Sequence, residues 1–132
     1  MQVTCLSRQC PCGHQETYSN CCRKWHDGQI APDAESLMRS RYCAYVFKLN
    51  GYLLQTWHPS TRPDNLDLAS DASIKWTGLD VRRHILTGAD SAVVEFIARF
   101  KVGGRAQRLE ESSRFVREGH QWFYLDGDIR SA

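Results

Sequence analysis

The feature that most constrains this chain is a group of four cysteines near its start. Cys10 and Cys12 flank Pro11, and the adjacent pair Cys21 and Cys22 follows after an eight-residue loop. Four thiolates this close in sequence can complete a tetrahedron around one Zn²⁺ ion. The spacing therefore predicts a single structural zinc site. Its predicted ligands are Cys10, Cys12, Cys21 and Cys22.

Other ligand sets stay open at this stage, although four cysteines are preferred. His14, His26 and Cys5 are also within reach in sequence, and His26 could replace Cys22 in a site of three cysteines and one histidine. A closed shell of four protein ligands leaves no position for water or substrate, which indicates a structural metal. Cys43 lies among apolar residues and is expected to be a small buried side chain instead of a ligand.

Charge and hydropathy exclude several classes of protein. The 17 basic and 15 acidic residues leave a formal net charge of +2, which is too balanced to indicate a nucleic-acid surface. No run approaches ~18 consecutive apolar residues, so no membrane span is expected. Residues 1–8 lack the apolar core of a signal peptide, and we expect a cytoplasmic protein. Clustered cysteines in a reducing compartment hold metal more often than they form disulfides. A secreted cap with two disulfides is the competing interpretation, and no export signal supports it.

Helical periodicity follows this cysteine-rich segment. A long helix is predicted from Asp33, its N-cap, to a C-cap at Asn50–Gly51. A second, short helix is predicted over 52–58, and a loop over 60–71 with a helical turn at Leu66–Ser70. The apolar face of the long helix comprises Leu37, Met38, Tyr42, Tyr45, Val46 and Leu49.

Alternation of apolar and polar residues then predicts four antiparallel strands. A slip in the alternation at Gly78 indicates a β-bulge, and Gly103–Gly104 indicates a hairpin. Glu118–Gly119 is expected to turn into a last strand, His120–Asp126. Side chains expected to share a face after the bulge are Leu79, Val81 and Ile85. Helices followed by a meander predict an α+β fold in which the sheet curls around the long helix.

A sheet wrapped around a helix often leaves a pocket between them, and one strand carries polar residues that could point into it. Glu111 shares a strand face with Ser113 and Phe115, and a carboxylate there could serve in proton abstraction. The favoured interpretation of the charged strand residues is nevertheless a set of cross-strand ion pairs on a solvated face. Those residues are Glu95, Arg99, Glu110 and Arg114.

Two further polar residues are candidates for the pocket. Arg41 interrupts the apolar helix, so it is expected to be partly buried and paired with a carboxylate such as Asp126 or Glu111. His58 could line the pocket mouth, although a histidine that satisfies a helix end is the favoured interpretation. The candidate pocket residues are Arg41, Tyr42, His58, Trp76, Glu111 and Ser113.

Several segments resemble a known bacterial family. The run Cys10-Pro11-Cys12-Gly13, with Tyr18 in the gap before Cys21-Cys22, resembles the SEC-C motif, the zinc knuckle at the tail of the preprotein-translocase ATPase SecA. Segments across the rest of the chain look like the YchJ-type family. They are LMRSRY at 37–42, TWHPS at 56–60, VEFIARF at 94–100, SRF at 113–115 and QWFYLDG at 121–127.

The resemblance implies a fold and a metal site more than an activity. It implies a cytoplasmic bacterial protein with a zinc knuckle over 1–30 and a cone-shaped α+β domain over 31–132. That domain type is similar to the nuclear transport factor 2 (NTF2) and ketosteroid-isomerase superfamily. Many such proteins carry a second SEC-C knuckle, whereas no cysteine follows Cys43 here, so a role that needs two knuckles is not expected.

Two functions remain as hypotheses. The first is an adaptor that presents the zinc knuckle to a protein partner, as the similarity to the SecA tail suggests. The alternative is a protein or enzyme that binds a small molecule in the cone, with zinc purely structural. No nucleophile–base pair or phosphate loop is evident from residue spacing, so an enzyme is not favoured.

Overall fold

The computed structural model describes residues 9–13, 16–64, 66 and 74–131. A 3₁₀ turn over Tyr18–Asn20 precedes three helices and four strands in the described residues. The helices are α1 (Cys22–His26), α2 (Ala34–Phe47) and α3 (Asn50–Gln55), and the strands are β1 (Ile74–Gly88), β2 (Ser91–Val102), β3 (Arg105–Glu118) and β4 (Gln121–Ser131). This order confirms the predicted α+β class. The helical turn predicted after Leu66, together with Cys5 and His14, lies outside the described residues.

Helix α2 starts where the sequence predicts and ends earlier. The side chain of Asp33 accepts a hydrogen bond from the Ser36 backbone N–H at 2.7 Å, which caps the helix N-terminus. Lys48 takes a left-handed conformation with φ 58°, and the N–H of Leu49 reaches back to the Ala44 carbonyl at 2.8 Å. This is a Schellman ending. The predicted C-cap at Asn50–Gly51 is therefore wrong, because both residues belong to α3.

Helix α3 is shorter than predicted because the chain leaves it to pair with the sheet. Trp57 forms a parallel bridge with Tyr124 of β4. The N–H of Tyr124 donates to the Thr56 carbonyl at 2.9 Å, and the N–H of His58 donates to the Tyr124 carbonyl at 2.8 Å. These tertiary hydrogen bonds replace the last helical turn that local sequence favours, and they fasten the segment after α3 to β4.

The four strands form one antiparallel sheet in the order β1-β2-β3-β4. A register shift between Trp76 and Gly78 confirms the predicted bulge. A second shift lies between Val81 and Arg83, and it places His84 opposite the buried Val94. The prediction that Ile85 shares a face with Leu79 and Val81 is wrong, because this second bulge reverses the alternation once more.

Two tight turns connect the later strands. Gly103 and Gly104 both have positive φ, of 58° and 83°, and they close the hairpin between β2 and β3. Gly119 and His120 adopt φ of 58° and 67° and close the next hairpin. Strand β4 does not end at Asp126–Gly127 as predicted. Gly127 continues the ladder opposite Ser113, and a Cβ at this position would collide with the Glu111 carboxylate.

The core lies between α2 and the inner face of the sheet. Buried side chains there are Leu37, Met38, Tyr42, Leu79, Val94, Phe96, Ala98, Phe115 and Trp122. The outer face carries exposed ion pairs, as expected for Arg99 and Arg114, whose partners are Asp80 and Asp126. Glu110 instead pairs with Arg108 on its own strand. Solvent screens such exposed pairs, so they add little to stability. Among the described residues, no helix has the length and apolar character needed to cross a bilayer.

Candidate functional site

The first candidate site is the cysteine cluster, whose four predicted members the fold brings together. The Sγ atoms of Cys10, Cys12, Cys21 and Cys22 all lie within 4.8 Å of one another, and all four residues are buried. Cys12 Sγ and Cys21 Sγ are 3.6 Å apart. Sulfurs bound to one Zn²⁺ at about 2.3 Å in a tetrahedron are about 3.8 Å apart, so the cluster matches a metal site in size. None of the described cysteines forms a disulfide.

Local backbone geometry positions the two cysteine pairs. The N–H of Cys10 donates to the Glu16 carbonyl at 2.8 Å, and the N–H of Gly13 donates to the Cys10 carbonyl at 3.4 Å. Gly13 has φ 99°, and an added Cβ would approach the Leu79 carbonyl oxygen to 3.0 Å, so glycine suits this turn. The 3₁₀ turn then delivers Cys21 and Cys22 at the start of α1. The loop that carries Cys10 and Cys12 therefore lies opposite the start of α1, which carries Cys21 and Cys22.

Mutual proximity opposes full ionisation of these thiols. Burial, followed by the charge of Cys12, raises the pKa of Cys21 to about 12. Hydrogen bonds with Cys10 and Cys12 raise the pKa of Cys22. Cys12 raises the pKa of Cys10, but the Cys22 and Cys43 thiols outweigh that effect and lower it to about 7. A divalent cation is the group that would let all four sulfurs ionise together.

A fifth thiol touches the cluster, which the sequence analysis did not foresee. Cys43 of α2 is fully buried, as predicted, and its Sγ lies 3.4 Å from Cys10 Sγ. It is not one of the four sulfurs that lie mutually within 4.8 Å. The contact joins residues 33 positions apart in the chain, so no local spacing could have indicated it.

His26 turns both ring nitrogens to other partners. Its Nε2 lies 2.8 Å from the Ser40 carbonyl, so Nε2–H donates there, and Nδ1 accepts from the Tyr18 hydroxyl at 2.6 Å. Burial lowers the pKa of His26, which favours this neutral form. The alternative in which His26 replaces Cys22 as ligand gains no support from this geometry. His26 instead connects α1 to α2. Arg39 of α2 connects that helix to the loop of Cys10 and Cys12, because its Nη1 donates to the Cys12 carbonyl at 2.6 Å.

The second candidate site is a cavity of about 240 Å³ between α2 and the inner face of the sheet. Five of the six predicted pocket residues line it, namely Arg41, Tyr42, Trp76, Glu111 and Ser113. Other lining residues are Met38, Tyr45, Phe96, Ala98, Leu109, Phe115 and Tyr124. Tyr45 lies one helical turn beyond Arg41 on α2, so the four-residue spacing could have indicated that both side chains face the cavity. Tyr124 lies opposite Phe115 in the ladder, which only the strand register reveals.

His58 is not among the residues that line the cavity. Its Nε2 lies 2.8 Å from Glu118 Oε2, and its Nδ1 accepts from the Ser60 N–H at 3.1 Å. The imidazole therefore closes the turn after Trp57 and tethers it to the end of β3. This agrees with the sequence interpretation of a structural histidine, and the suggestion of a role at the pocket mouth is corrected.

Arg41 is a buried cation, only 5% exposed. Its Nη1 donates to the Leu53 carbonyl at 2.8 Å and to Thr56 Oγ1 at 2.7 Å. The guanidinium lies over the rings of Tyr124 and Trp57, at 4.6 and 5.1 Å from their centroids. No carboxylate of the described residues forms an ion pair with it. The predicted pairing with Asp126 is wrong, because Asp126 pairs with Arg114 on the outer face.

Glu111 is the acidic counterpart across the cavity. Its Oε2 accepts from Ser113 Oγ at 2.5 Å and from the Tyr124 hydroxyl at 3.4 Å. Burial, followed by the Glu111 charge, raises the pKa of Tyr124, which keeps that hydroxyl protonated as a donor. Gly127 leaves the space that the carboxylate occupies. The cavity therefore holds one cation and one anion that do not contact each other.

The helices, the meander and the cavity between them define the class of this protein as an NTF2-like α+β domain joined to a cysteine knuckle that can hold a metal ion. A family described as "YchJ, middle NTF2-like domain" matches residues 33–127. A UPF0225 protein of Bordetella pertussis is 52% identical and aligns over 92% of this chain and 92% of its own. The chain belongs to the YchJ-type family, as the sequence resemblance predicts.

Two solved structures share the architecture over most of their length. A SEC-C motif containing protein from Rhodopseudomonas palustris is 32% identical, with a TM-score of 0.81 over 91% of this chain and 97% of that one. A SEC-C motif containing protein from Psychrobacter arcticus is 29% identical, with a TM-score of 0.82 over 98% of this chain and 86% of that one. These likenesses agree with the SEC-C resemblance of the cysteine segment.

Proposed function

We propose that this protein binds a small organic molecule in the cavity between α2 and the sheet, and that zinc in the knuckle has a structural role. The observation that carries the proposal is the cavity itself, with apolar walls and a few convergent polar groups, Arg41, Glu111 and Tyr124. Protein cores are normally packed without voids of this size, and such a lining is typical of ligand sites. The volume of about 240 Å³ indicates a ligand smaller than a drug-sized molecule.

Zinc is the metal that the knuckle chemistry favours. Four buried thiolates suit Zn²⁺ in a closed tetrahedral site, which leaves no open position for catalysis. Two similar structures are of proteins described as containing the SEC-C motif. A group of cysteines without a disulfide among the described residues also fits a reducing compartment, so we propose a cytoplasmic location.

The cavity proposal predicts that filling the space abolishes binding. Ala98 is buried and lines the cavity, so Ala98→Leu places three additional carbon atoms in it. We expect fragments that bind the wild-type protein to lose at least tenfold in affinity, measured by ligand-observed NMR with a mixed library of neutral and charged aromatic fragments. Ala106→Leu makes the same change at an exposed position of β3 and should bind as wild type. Equal binding by Ala98→Leu, with its fold intact by circular dichroism, would contradict the proposal.

A protein partner for the knuckle is the second candidate function, and a groove beside the cysteines favours it. Residues that border the groove are Glu16, Asn20, Cys21, Cys22, Lys24, Trp25, Ser36 and Arg39. Lys24 is exposed, with its Nζ 5.0 Å from the centroid of the Trp25 ring. The groove therefore offers the aromatic ring of Trp25 next to the metal site, and aromatic residues are enriched in protein interfaces. The exposed charge of Lys24 would favour an acidic partner.

The adaptor hypothesis predicts that reversing the charge of Lys24 weakens partner capture. We expect Lys24→Glu to recover a specific partner at least fivefold less well than wild type in a quantitative pull-down. Lys48→Glu reverses the charge of an exposed lysine at the far end of α2 and serves as the matched control. Recovery of every protein in equal amounts by both variants and by wild type would exclude the groove as a contact surface.

A further inference from the structure

The arrangement of charges in the cavity identifies a ligand class, on the assumption that the proposed cavity function holds. We infer that the ligand is a small planar, ring-containing carboxylic acid that also carries a hydrogen-bond donor. Its carboxylate would meet Arg41, and its donor would meet Glu111. The inference follows from what each of these two side chains still lacks.

Arg41 lacks an anion. Both of its hydrogen bonds to described residues come from Nη1, one to the Leu53 carbonyl and one to Thr56 Oγ1. A guanidinium has five N–H donors, so Nε and Nη2 retain three that these bonds do not use. The buried side-chain atoms without a partner in the described residues are Trp57 Nε1, His84 Nε2 and Trp122 Nε1, and no atom of Arg41 is among them. Arg41 lines the cavity, and on this proposal its Nε–Nη2 edge meets the ligand there.

That edge has the geometry that carboxylates use. Two parallel N–H groups match the two oxygens of one carboxylate, and such charge-assisted pairs are roughly twice as strong as neutral hydrogen bonds. A buried cation without an anion is also costly, and the rings of Tyr124 and Trp57 compensate it only in part. An anionic ligand would supply the missing charge.

Glu111 determines which chemical group is favoured at the other end of the ligand. Both of its hydrogen bonds from described residues come to Oε2, so Oε1 retains its capacity to accept. A carboxylate accepts and does not donate, and its charge repels a second anion. A dianionic ligand is therefore disfavoured, and a hydroxyl or amino group is favoured at this end.

The walls indicate a flat ligand. Rings of Tyr42, Tyr45, Trp76, Phe96 and Phe115 line the cavity. An apolar cavity of about 150 Å³ can hold benzene, so about 240 Å³ accommodates one ring with small polar substituents. Stacking or edge contacts between these rings and a ring of the ligand would stabilise binding beyond the effect of the buried apolar area.

The test uses the zinc-loaded full chain, three acid–amide pairs of probes and one further acid. The probes are 2-, 3- and 4-hydroxybenzoate, each compared with its uncharged hydroxybenzamide, and benzoate as the acid without a donor. Calorimetry is expected to show at least one hydroxybenzoate that binds tenfold or more tightly than its amide, and more tightly than benzoate. The three isomers sample different separations between the carboxylate and the hydroxyl.

Variants assign the two ends of the ligand. Arg41→Gln should remove the preference for acid over amide, and Glu111→Gln should keep that preference but reduce the advantage of hydroxybenzoate over benzoate. Arg99→Gln removes an exposed arginine on β2 and should behave as wild type. Arg41 also holds the end of α3 through its hydrogen bonds to Leu53 and Thr56, so Arg41→Gln could fail to fold. In that case the acid–amide comparison on the wild-type protein and the Glu111→Gln result still test the inference.

The outcomes separate this inference from the function on which it rests. If the amides bind as tightly as the acids, or if neutral fragments alone bind and are lost in Ala98→Leu, the cavity is a ligand site and the acid inference is overturned. If neither acids, amides nor library fragments bind, both the ligand class and the proposed function are overturned.

Discussion

A chain in which Cys22 is replaced by serine is expected to bind no stoichiometric metal and to lose the structure described for residues 9–13 and 16–30. The four sulfurs of the cluster are buried, and the segment has few apolar side chains of its own, so we expect metal binding to supply most of its folding free energy. Apparent binding free energies of structural zinc in small domains are about 10–16 kcal/mol near neutral pH. Native mass spectrometry should show one Zn²⁺ per wild-type chain and none for Cys22→Ser. Amide hydrogen exchange should show lost protection over 9–30, while β2 and β3 stay protected.

The matched control for this experiment is Cys43→Ala. Cys43 is a fully buried cysteine that touches Cys10, but it lies outside the four-sulfur group. We expect this variant to keep one metal ion per chain. Retention of zinc by Cys22→Ser together with its loss from Cys43→Ala would contradict the ligand assignment. Acidification should release the metal from wild type as well, because protons compete for the thiolates.

The second large effect is expected at Phe115, whose truncation should cost about 3–5 kcal/mol of unfolding free energy. This ring is 1% exposed and packs edge-on against Tyr124 at 5.8 Å between centroids. Phe115→Ala removes buried apolar surface next to the cavity, and the existing space limits how well neighbours can collapse onto the new void. Urea unfolding followed by tryptophan fluorescence measures the change.

Phe123→Ala is the matched control for Phe115→Ala. Phe123 lies on the neighbouring strand, is only partly buried, and contacts the ring of His58 at 5.9 Å. Its truncation should cost less than half as much, because less apolar surface leaves water when that side chain folds. An equal loss of unfolding free energy in the two variants would contradict the burial of Phe115 on the inner face of the sheet.

The cysteine cluster was the part of the site most open to prediction, because its members are neighbours in sequence. Cys10 and Cys12, and then Cys21 and Cys22, are brought together by one tight loop and one helix start. The contact of Cys43 with Cys10 was not predictable, since it depends on how α2 docks against the knuckle. The same holds for His26, whose ring joins Tyr18 to the Ser40 carbonyl.

Turns and helix caps that depend on neighbouring residues were also predictable. The ends of helices and strands were not predictable where hydrogen bonds to residues distant in the chain determine them. The Asp33 cap and the Gly103–Gly104 hairpin follow from side-chain chemistry and positive φ. The last strand runs past Gly127 because the residues after it pair with β3. Gly127 itself, which locally indicates a turn, leaves room for the Glu111 carboxylate. Helix α3 ends early because Thr56 and His58 bond to Tyr124.

The amino-acid sequence by itself determined the α+β class, the grouping of four sulfurs and membership of the YchJ-type family, because each depends on short-range spacing or on segments that can be compared directly. The tertiary structure alone decided that a cavity exists, that Arg41 enters it without a carboxylate partner among the described residues, and that His58 lies elsewhere. These features depend on how α2, α3 and four strands meet. The distances between residues far apart in the chain arise only when the whole domain folds.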